Sequence, residues 1–534
     1  MKIDLHVHTE ISDGFLSIED TLKSAKEKNL DCIAITDHDT LDGIIPAMSI
    51  ASKLGLSVIP GVEISAMDQA SGVKVHILGY FMNLPAKNIE QLCQPITNAR
   101  HHKSLEQIKA LQSAGYNISE AEILSKRKGR PIYKQHIMLE LIKQGYTDKI
   151  YSDLYKKLFK NGGICHSDIQ YATPEDAIKA IKADGGIAVL AHPGHDNNFF
   201  LLERLVSAGL DGIELIHDKH TTENMETIEK LASQYQLMLT GGSDYHGEAI
   251  NSAWGNLICP NSTTNFFATH DNPLMLMHEL VTQSHKKIKE LIIQEDLNIE
   301  YKQDRFDNIV TNIDVQLEQF LVAQIQQKFP QHGFVTEEHT VPEQTNSEYT
   351  WIIDPIDGTT NFVCFQENYA VSIALYKNAL PYAGIVYDVA KQDIYFAVEG
   401  YGAWFNSSPI ILPLTKTSLH NTVLDLSLRT VIDLEQSGCN TTTLAKKIRG
   451  HRAYGCASLG VCKIAIGEPR AYVSTGVKLW DYAAAGIVLR ESGGSFSYTQ
   501  LSDSCQVFCA AANEGILVSL KECIGYNRAI NQYE

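Results

Sequence analysis

The chain has 534 residues, 44% of them hydrophobic and 20% charged, which exceeds the roughly 100–200 residues of one domain and predicts two large globular units. A net charge of −18 disfavours long nucleic acids and anionic membranes as partners. Small phosphorylated metabolites or nucleotides can still bind, because a bound metal ion makes the local charge positive. No apolar run is long enough to span a bilayer, and eleven cysteines without a CxxC pair are typical of a reducing compartment, so we expect a cytoplasmic protein.

Strand-like and helical patterns alternate over residues 1–260. Examples of the strand-like runs are "CIAIT", "LSVIPGVEIS", "VKVHILGY", "GIAVLAHP" and "DGIELI", and amphipathic stretches such as "TPEDAIKAIKADG" lie between them. Strand, helix and strand in repetition predict a parallel sheet, and about seven such units would close it into an α/β barrel. Residues 88–173 break the rhythm, because they are helical, Lys-rich and poor in strands. We expect them to form a helical insert that covers the barrel mouth.

A polar stretch without periodicity, residues 261–273, is predicted to be a linker. Helical patterns begin again at about residue 274, and strand-like runs such as "YTWIID" and "YAVSIALY" follow them. This order predicts a second unit, residues 274–534, in which helices are layered against sheets.

The first half carries imidazole and carboxylate side chains at the ends of its predicted strands. They are His6, His8, Asp13, His38, Glu63, His76, His192, Asp244 and His246. The C-terminal ends of barrel strands meet at one mouth, so these residues can share a site. Nine ligands suffice for two or three ions if a carboxylate such as Glu63 bridges, and mixed nitrogen and oxygen ligands favour Mn, Fe or Zn over Mg. Clustered ions of this kind bind a phosphate and activate water, which predicts hydrolysis of a phosphate ester.

The motifs "HVHTEISDG", "TDHDT", "PGVEIS", "VHILGY", "LAHP" and "SDYHG" resemble those of the PHP (polymerase and histidinol phosphatase) family, in family order, over about residues 1–260. The resemblance implies a distorted (β/α)7 barrel. It also implies three ion sites, held by His6, His8, Glu63 and Asp244, by Glu63, His76 and His192, and by Asp13, His38 and His246.

Among PHP branches this half looks most like the phosphoesterases that act on nucleoside 3',5'-bisphosphates or on the 5' end of short RNA. Those enzymes place a Gly-Arg-Pro-His segment on the substrate. Here the segment is "GRPI", residues 129–132, so the arginine is kept and the histidine is not. Arg130 is therefore an expected substrate contact, and His136, one helical turn further on, is expected to compensate for the missing histidine.

A second constellation surrounds "WIIDPIDGTTNF", residues 351–362. The turn brings Asp354, the carbonyl of Ile356 and Asp357 towards one point. If a helix starts after it, the backbone N–H groups of Gly358 and Thr359 are free to bind a phosphate. "TEEHT" adds Glu337 and "KLWDYAAAG" adds Asp481. A set of ligands that are all oxygen atoms favours Mg, and we expect two or three Mg ions at this site.

These motifs, with "DNIVTNID" and "AYGCASLG", resemble the inositol monophosphatase superfamily over about residues 275–534. The resemblance implies an αβαβα layered fold, magnesium dependence and a homodimer formed through this unit. The metal ligands that the resemblance implies are Glu337, Asp354, the Ile356 carbonyl, Asp357, Thr359 and Asp481. Asp314 would pair with Thr359 to activate the attacking water. Ser474 stands where inositol phosphatases carry an acidic residue that binds substrate hydroxyls, so inositol phosphates, nucleotide bisphosphates and histidinol phosphate all stay open as substrates.

The leading hypothesis is a bifunctional phosphoric monoester hydrolase with two metal-dependent active sites. The alternative is one catalytic half whose partner half binds a phosphorylated metabolite and regulates it. Nuclease action on long RNA conflicts with the acidic charge and with the lack of basic and aromatic stripes.

Overall fold

The computed structural model describes residues 1–160, 162–247, 254–294, 296–301, 309–413, 418–468, 471–502 and 505–524. The chain divides into two compact units, Met1–His270 and Asp271–Glu534. The division falls inside the stretch expected to be a linker. Much of that stretch is a helix, Asn261–Thr269, because Phe267 is buried against the rings of Tyr80 and Phe81. None of the helices in the described ranges combines the length and apolar character that a membrane span requires.

Seven strands of the first unit form one nearly closed sheet in chain order. They are β1 (Ile3–Val7), β2 (Cys32–Ile35), β3 (Ser57–Met67), β4 (Lys74–Tyr80), β5 (Ile187–Leu190), β6 (Gly212–Ile216) and β7 (Met238–Gly241). Val7 bridges to Tyr245, just beyond β7. All neighbours are parallel except β4, which runs antiparallel to both β3 and β5. The expectation of a uniformly parallel sheet is wrong there, because only residues 68–73 join β3 to β4 and a parallel crossover needs a dozen or more.

Among the described residues, eleven α-helices surround this sheet or lie in the insert. They are α1 (Ile18–Glu27), α2 (Ile44–Leu54), α3 (Lys87–Ser113), α4 (Glu120–Arg127), α5 (Lys134–Lys143), α6 (Asp153–Phe159), α7 (Pro174–Ala183), α8 (Pro193–Asp196), α9 (Leu202–Ser207), α10 (Thr222–Tyr235) and α11 (Asn261–Thr269). Helices α3 to α6 lie between β4 and β5 in the chain. Apolar side chains from α3 to α6, among them Ile108, Ile137 and Phe159, form a core of their own.

The second unit contains a seven-stranded sheet, a five-stranded sheet and a hairpin. The hairpin is β8 (Ile299–Tyr301) and β9 (Ile309–Thr311). The seven-stranded sheet is β10 (Gly333–Thr336), β11 (Tyr349–Asp357), β12 (Ala370–Lys377), β13 (Leu380–Asp388), β14 (Asp393–Val398), β15 (Gly402–Phe405) and β16 (Ser408–Ile410). The five-stranded sheet is β17 (Val423–Asp425), β18 (Gly450–Arg452), β19 (Ala471–Ser474), β20 (Ser495–Ser502) and β21 (Cys505–Ala511).

Three helical layers alternate with these two sheets. The helices are α12 (Pro273–Gln294), α13 (Asn312–Lys328), α14 (Thr359–Phe365), α15 (Leu428–Gln436), α16 (Thr441–Lys447), α17 (Ala457–Ala465), α18 (Leu479–Glu491) and α19 (Glu514–Cys523). Helices α12 and α13 pack on the seven-stranded sheet. Helices α17 and α18 share a core with both sheets. Helices α15, α16 and α19 cover the outer face of the five-stranded sheet. The predicted αβαβα order is confirmed.

The Ala-rich start of α18 explains how this helix lies so close to a sheet. Ala483, Ala484 and Ala485 are all buried, and the backbone of α18 passes directly over Gly384 on β13. A Cβ atom at Gly384 would lie 2.6 Å from the Ala484 carbonyl oxygen. Small side chains on both elements therefore fix the distance between α18 and the seven-stranded sheet.

Candidate active sites

Glu63 is the centre of the first cluster. Its Oε2 lies 3.4 Å from His6 Nε2, 3.1 Å from His8 Nε2 and 3.1 Å from His38 Nδ1. Its Oε1 lies 2.9 Å from His76 Nδ1 and 3.1 Å from His192 Nε2. The two oxygens thus face two different sets of imidazoles, which is the arrangement that a carboxylate bridging two ions requires.

All nine side chains expected from the sequence meet at this cluster. The groups whose ligand atoms lie within 4.8 Å of one another are His6, His8, Glu63 and Asp244; His8, Asp13, His38 and His246; His38, Glu63 and His76; and His76, His192 and Asp196. The antiparallel course of β4 explains His76. Position 76 pairs with Ser65 near the end of β3, so the beginning of β4, and not its end, lies at the barrel mouth.

The local backbone is bent to present two of these ligands. His192 and Asp244 follow β5 and β7 and have φ values of 26° and 51°, in the left-handed region that non-glycine residues rarely adopt. Such conformations cluster at functional sites, where the surrounding structure holds them.

Several buried atoms of the cluster make no hydrogen bond to any described residue. They include His6 Nε2, His8 Nε2, His38 Nδ1 and Glu63 Oε2. Buried polar atoms normally have a partner, and divalent ions between these atoms would give each of them one. The residues therefore fit a site with several ions.

Charge within the cluster is balanced between acids and bases. Burial acts to raise the pKa of Glu63, but the imidazoles of His38, His76 and His6 outweigh it and hold that pKa well below its usual range. Burial likewise acts to lower the pKa of His8, but Asp244 and Glu63 raise it to about 10. Metal binding must therefore displace the proton of His8.

Three further residues belong to the first cluster and do not appear among the expected ligands. His217 Nε2 lies 3.5 Å from Asp244 Oδ2, and Asp196 Oδ2 lies 3.2 Å from His192 Nδ1. Glu214 is buried, lies 3.1 Å from His6 Nδ1 and accepts the backbone N–H of His192. His217 directly follows the strand "DGIELI", so the strand-end criterion would have found it.

The two expected substrate contacts of the insert have local partners. Arg130 Nη1 lies 3.2 Å from Glu10 Oε1. His136 Nδ1 accepts the Tyr133 N–H at the start of α5, which leaves only Nε2 to meet a ligand. The neighbouring Gln135 reaches the cluster instead, because its Nε2 donates to Asp13 Oδ2 at 2.7 Å.

The second cluster consists of carboxylates. Glu337, Asp354 and Asp481 place ligand oxygens within 4.8 Å of one another. Glu337 follows β10, Asp354 lies on β11 and Asp481 lies in the first turn of α18. Asp354 Oδ1 is buried and makes no hydrogen bond to a described residue. Burial, and after it the charges of Glu337, Asp357 and Asp481, raise the pKa of Asp354 well above its usual range. These residues fit a cation bound only by oxygen atoms.

Asp314 and Thr359 lie side by side next to this cluster. The Thr359 hydroxyl donates to Asp314 Oδ1 at 3.2 Å. The other oxygen of Asp314 accepts the backbone N–H of Thr311 at 2.9 Å and its hydroxyl, and these bonds cap α13. Burial raises the pKa of Asp314 to about 6. The geometry is that of a base held in place by a helix cap and oriented towards a hydroxyl.

Three of the remaining expected residues, Ile356, Asp357 and Gly358, directly precede Thr359 in the chain. Asp357 accepts the N–H groups of Ala457 and Ser458 at the start of α17, and the Ile356 carbonyl accepts the Thr359 hydroxyl at 3.1 Å. Gly358 has a φ of 88° and precedes α14. Ser474 ends β19, and its Oγ accepts the N–H of Gly476.

Glu318 was not expected and holds the segment that carries Glu337. It is buried one helical turn after Asp314 on α13. Its carboxylate accepts the hydroxyl of Thr336 and the backbone N–H groups of Glu338 and Thr340, each at 2.8 Å. The residues on both sides of Glu337 are thereby fixed.

Comparison with known sequences agrees with this division into two sites. The sequence model of the PHP domain matches residues 4–303, and that of the inositol monophosphatase family matches residues 274–528. The chain belongs to both families. It is a metal-dependent hydrolase in which a PHP phosphoesterase domain is fused to an inositol monophosphatase domain.

Two relatives correspond to the two domains. The PHP domain is similar to the phosphoribosyl 1,2-cyclic phosphate 1,2-diphosphodiesterase of Eggerthella lenta, with 42% identity over 246 residues, 46% of this chain and 94% of that protein. The second domain is similar to the inositol-1-monophosphatase of Bacillus subtilis, with 37% identity over 209 residues, 38% of this chain and 77% of that protein. A crystal structure from Bifidobacterium adolescentis, provisionally named a metal-dependent phosphoesterase, has 26% identity and a TM-score of 0.47, and covers 51% of this chain and 97% of that one.

We expect Asp354→Asn to stabilise the metal-free inositol monophosphatase domain. The pKa of Asp354 is raised in the folded domain, so this carboxyl ionises less readily in the folded than in the unfolded state. The free energy of unfolding of the domain therefore falls as the pH rises above about 4, the pKa of an aspartate in an unfolded chain. In a chelator at pH 8, the variant should raise the thermal midpoint of the domain by about 2–4 °C and abolish its stabilisation by Mg. Calorimetry measures both effects.

Asp425→Asn is the matched control for this experiment. Burial raises the pKa of Asp425 to about 6 as well, but Asp425 does not belong to the carboxylate cluster. The Asp425→Asn variant should keep the full stabilisation of the domain by Mg. If Asp354→Asn kept it too, Asp354 would not be a ligand.

Proposed function

We propose that the PHP domain hydrolyses phosphate esters of phosphorylated ribose, with a phosphoribosyl 1,2-cyclic phosphate as the main substrate. The observation that carries the proposal is the placement of both Glu63 oxygens among five imidazoles in a domain 42% identical to the Eggerthella lenta enzyme. Divalent ions held there would polarise the phosphate and activate water. Glu214 and Asp196 support the proposal, since they contact and orient His6 and His192 as partners of metal-bound imidazoles do.

A comparison of specificity constants tests this assignment. The kcat/KM for phosphoribosyl 1,2-cyclic phosphate should be higher than the kcat/KM for adenosine 3',5'-bisphosphate and for 5'-phosphorylated short RNA. Each substrate is assayed with Mn and with Mg. A higher kcat/KM for adenosine 3',5'-bisphosphate or for the RNA would overturn the cyclic phosphate as the main substrate. It would favour instead the substrate class that the PHP motifs suggest.

We propose that the second domain hydrolyses a small phosphate monoester with Mg. Glu337, Asp354 and Asp481 would hold the ions, Asp314 would accept a proton from water, and Thr359 would orient that water. The contact between the Thr359 hydroxyl and Asp314 carries this assignment, because it aligns a buried carboxylate with a hydroxyl beside the metal ligands. Release of phosphate from myo-inositol 1-phosphate, histidinol phosphate and adenosine 3',5'-bisphosphate tests it, and failure on all three with Mg would overturn it.

A further inference from the structure

A cavity of about 230 Å³ borders the first cluster. Asp13, His38 and His76 of the cluster form part of its wall. The other wall carries five cationic side chains from four parts of the domain. They are Lys74 on β4, Arg100 and Lys103 on α3, Lys134 on α5 and Lys160 just after α6.

Three of these five cationic side chains already lie beside a carboxylate of the protein. Arg100 Nη2 donates to Asp39 Oδ2 at 2.7 Å and to Ser65 Oγ at 2.9 Å, so its charge is paired. Lys74 Nζ and Lys103 Nζ share one carboxylate, that of Asp168, at 3.3 and 3.5 Å.

Lys134 and Lys160 form no ion pair with any residue that the structure describes. Asp168 pairs with Lys74 and Lys103, and Asp13 lies on the wall beside the metal cluster, so four lysines outnumber these two carboxylates and an excess of positive charge remains. The chain as a whole carries a net charge of −18, so this local excess does not follow from its composition. Like charges gathered in one small cavity repel one another unless a ligand neutralises them.

Burial makes this excess more costly. Lys103 is only 9% exposed. Burial, and after it the charges of Lys103, Lys74 and Lys160, lower the pKa of Lys134 to about 8. A phosphate dianion in the cavity would offset both the desolvation of Lys103 and Lys134 and the repulsion among the four lysines.

We propose that Lys74, Lys103, Lys134 and Lys160 bind a second, non-reacting phosphate of the substrate while its reacting phosphate lies at the metal cluster. The site then selects substrates with two phosphate groups, such as a 5-phosphorylated ribose 1,2-cyclic phosphate, over the same ester without the 5-phosphate. This inference rests on the proposed hydrolysis of ribose phosphate esters and adds the residues that bind the second phosphate.

The test compares 5-phosphoribosyl 1,2-cyclic phosphate with ribose 1,2-cyclic phosphate as substrates of the full chain. All proteins carry Asp354→Asn, so that the second domain does not act on the 5-phosphate. The double variant Lys134→Gln/Lys160→Gln should raise KM for the doubly phosphorylated substrate about 10–100-fold, and leave both kcat and the KM of the other substrate within about twofold. Lys157→Gln, an exposed lysine of α6, is the matched control and should change neither KM.

A binding measurement separates this inference from the proposed function. Ribose 5-phosphate is titrated calorimetrically into the metal-free protein, where the lysines are the expected site. The double variant should bind it about tenfold more weakly than the control. Equal binding, or an equal rise in KM for both cyclic phosphates, would overturn the lysine site even if the cyclic phosphates are hydrolysed. Weaker binding in a protein that hydrolyses neither cyclic phosphate would keep the lysine site and refute the proposed substrate.

Discussion

Glu63→Gln should lower kcat/KM of the PHP domain by about 1,000-fold or more. Glu63 is fully buried and, among the residues that the structure describes, is the one carboxylate that contacts all five of His6, His8, His38, His76 and His192. A neutral amide cannot replace the bridging charge, and its NH2 group would point at imidazole nitrogens that must accept a metal. Hydrolysis of phosphoribosyl 1,2-cyclic phosphate and the metal content of the purified protein measure the two effects.

The control for this variant is Glu10→Gln, in the same loop region as Asp13. Glu10 is partly exposed and pairs with Arg130 instead of a cluster histidine. It should keep the metal content and a rate within a few-fold of the wild type. A Glu63→Gln protein that retained both metal and activity would show that Glu63 does not bridge ions.

Asp314→Asn should lower kcat of the inositol monophosphatase domain by about 100–10,000-fold, with little change in KM. The side-chain oxygen of the variant can still accept the Thr311 N–H that caps α13, so folding should be preserved. Its NH2 group would then face the Thr359 hydroxyl, and the acceptor for the proton of water is lost. Steady-state phosphate release with Mg measures the change.

Two substitutions of Thr359 separate chemistry from packing at the same position. Thr359→Ser keeps the hydroxyl and should retain most of the rate. Thr359→Val keeps the shape, removes the hydroxyl and should approach the loss seen for Asp314→Asn. If the serine and valine variants lost the same amount of activity, the contact between Thr359 and Asp314 would not act in catalysis.

The first cluster was largely predictable because its ligands lie at strand ends, and a barrel brings those ends together whatever their separation in sequence. His6 and His192 are one example of this convergence. His217 could have been found by the same rule. The antiparallel course of β4 could have been found as well, because six residues between two strand-like runs are too few for a parallel crossover.

Features that depend on packing between distant segments were not predictable. Helix Asn261–Thr269 has a polar sequence typical of a linker, and burial of Phe267 against the barrel decides its conformation. The lysine-lined cavity depends on α3, α5 and the start of β4 coming together around one space. Lys74 and Lys134 are 60 positions apart, and no local pattern relates them.

The central claim is that the two domains are independent phosphatases, and a reciprocal assay of two variants tests it most directly. Opening of the cyclic ester of phosphoribosyl 1,2-cyclic phosphate and release of phosphate from myo-inositol 1-phosphate are measured for the wild type, His192→Ala and Asp481→Asn. Each variant should lose one activity and keep the other: His192→Ala the first, Asp481→Asn the second. If Asp481→Asn left both activities unchanged, or if both variants abolished the same one, the account of two independent active sites would be contradicted.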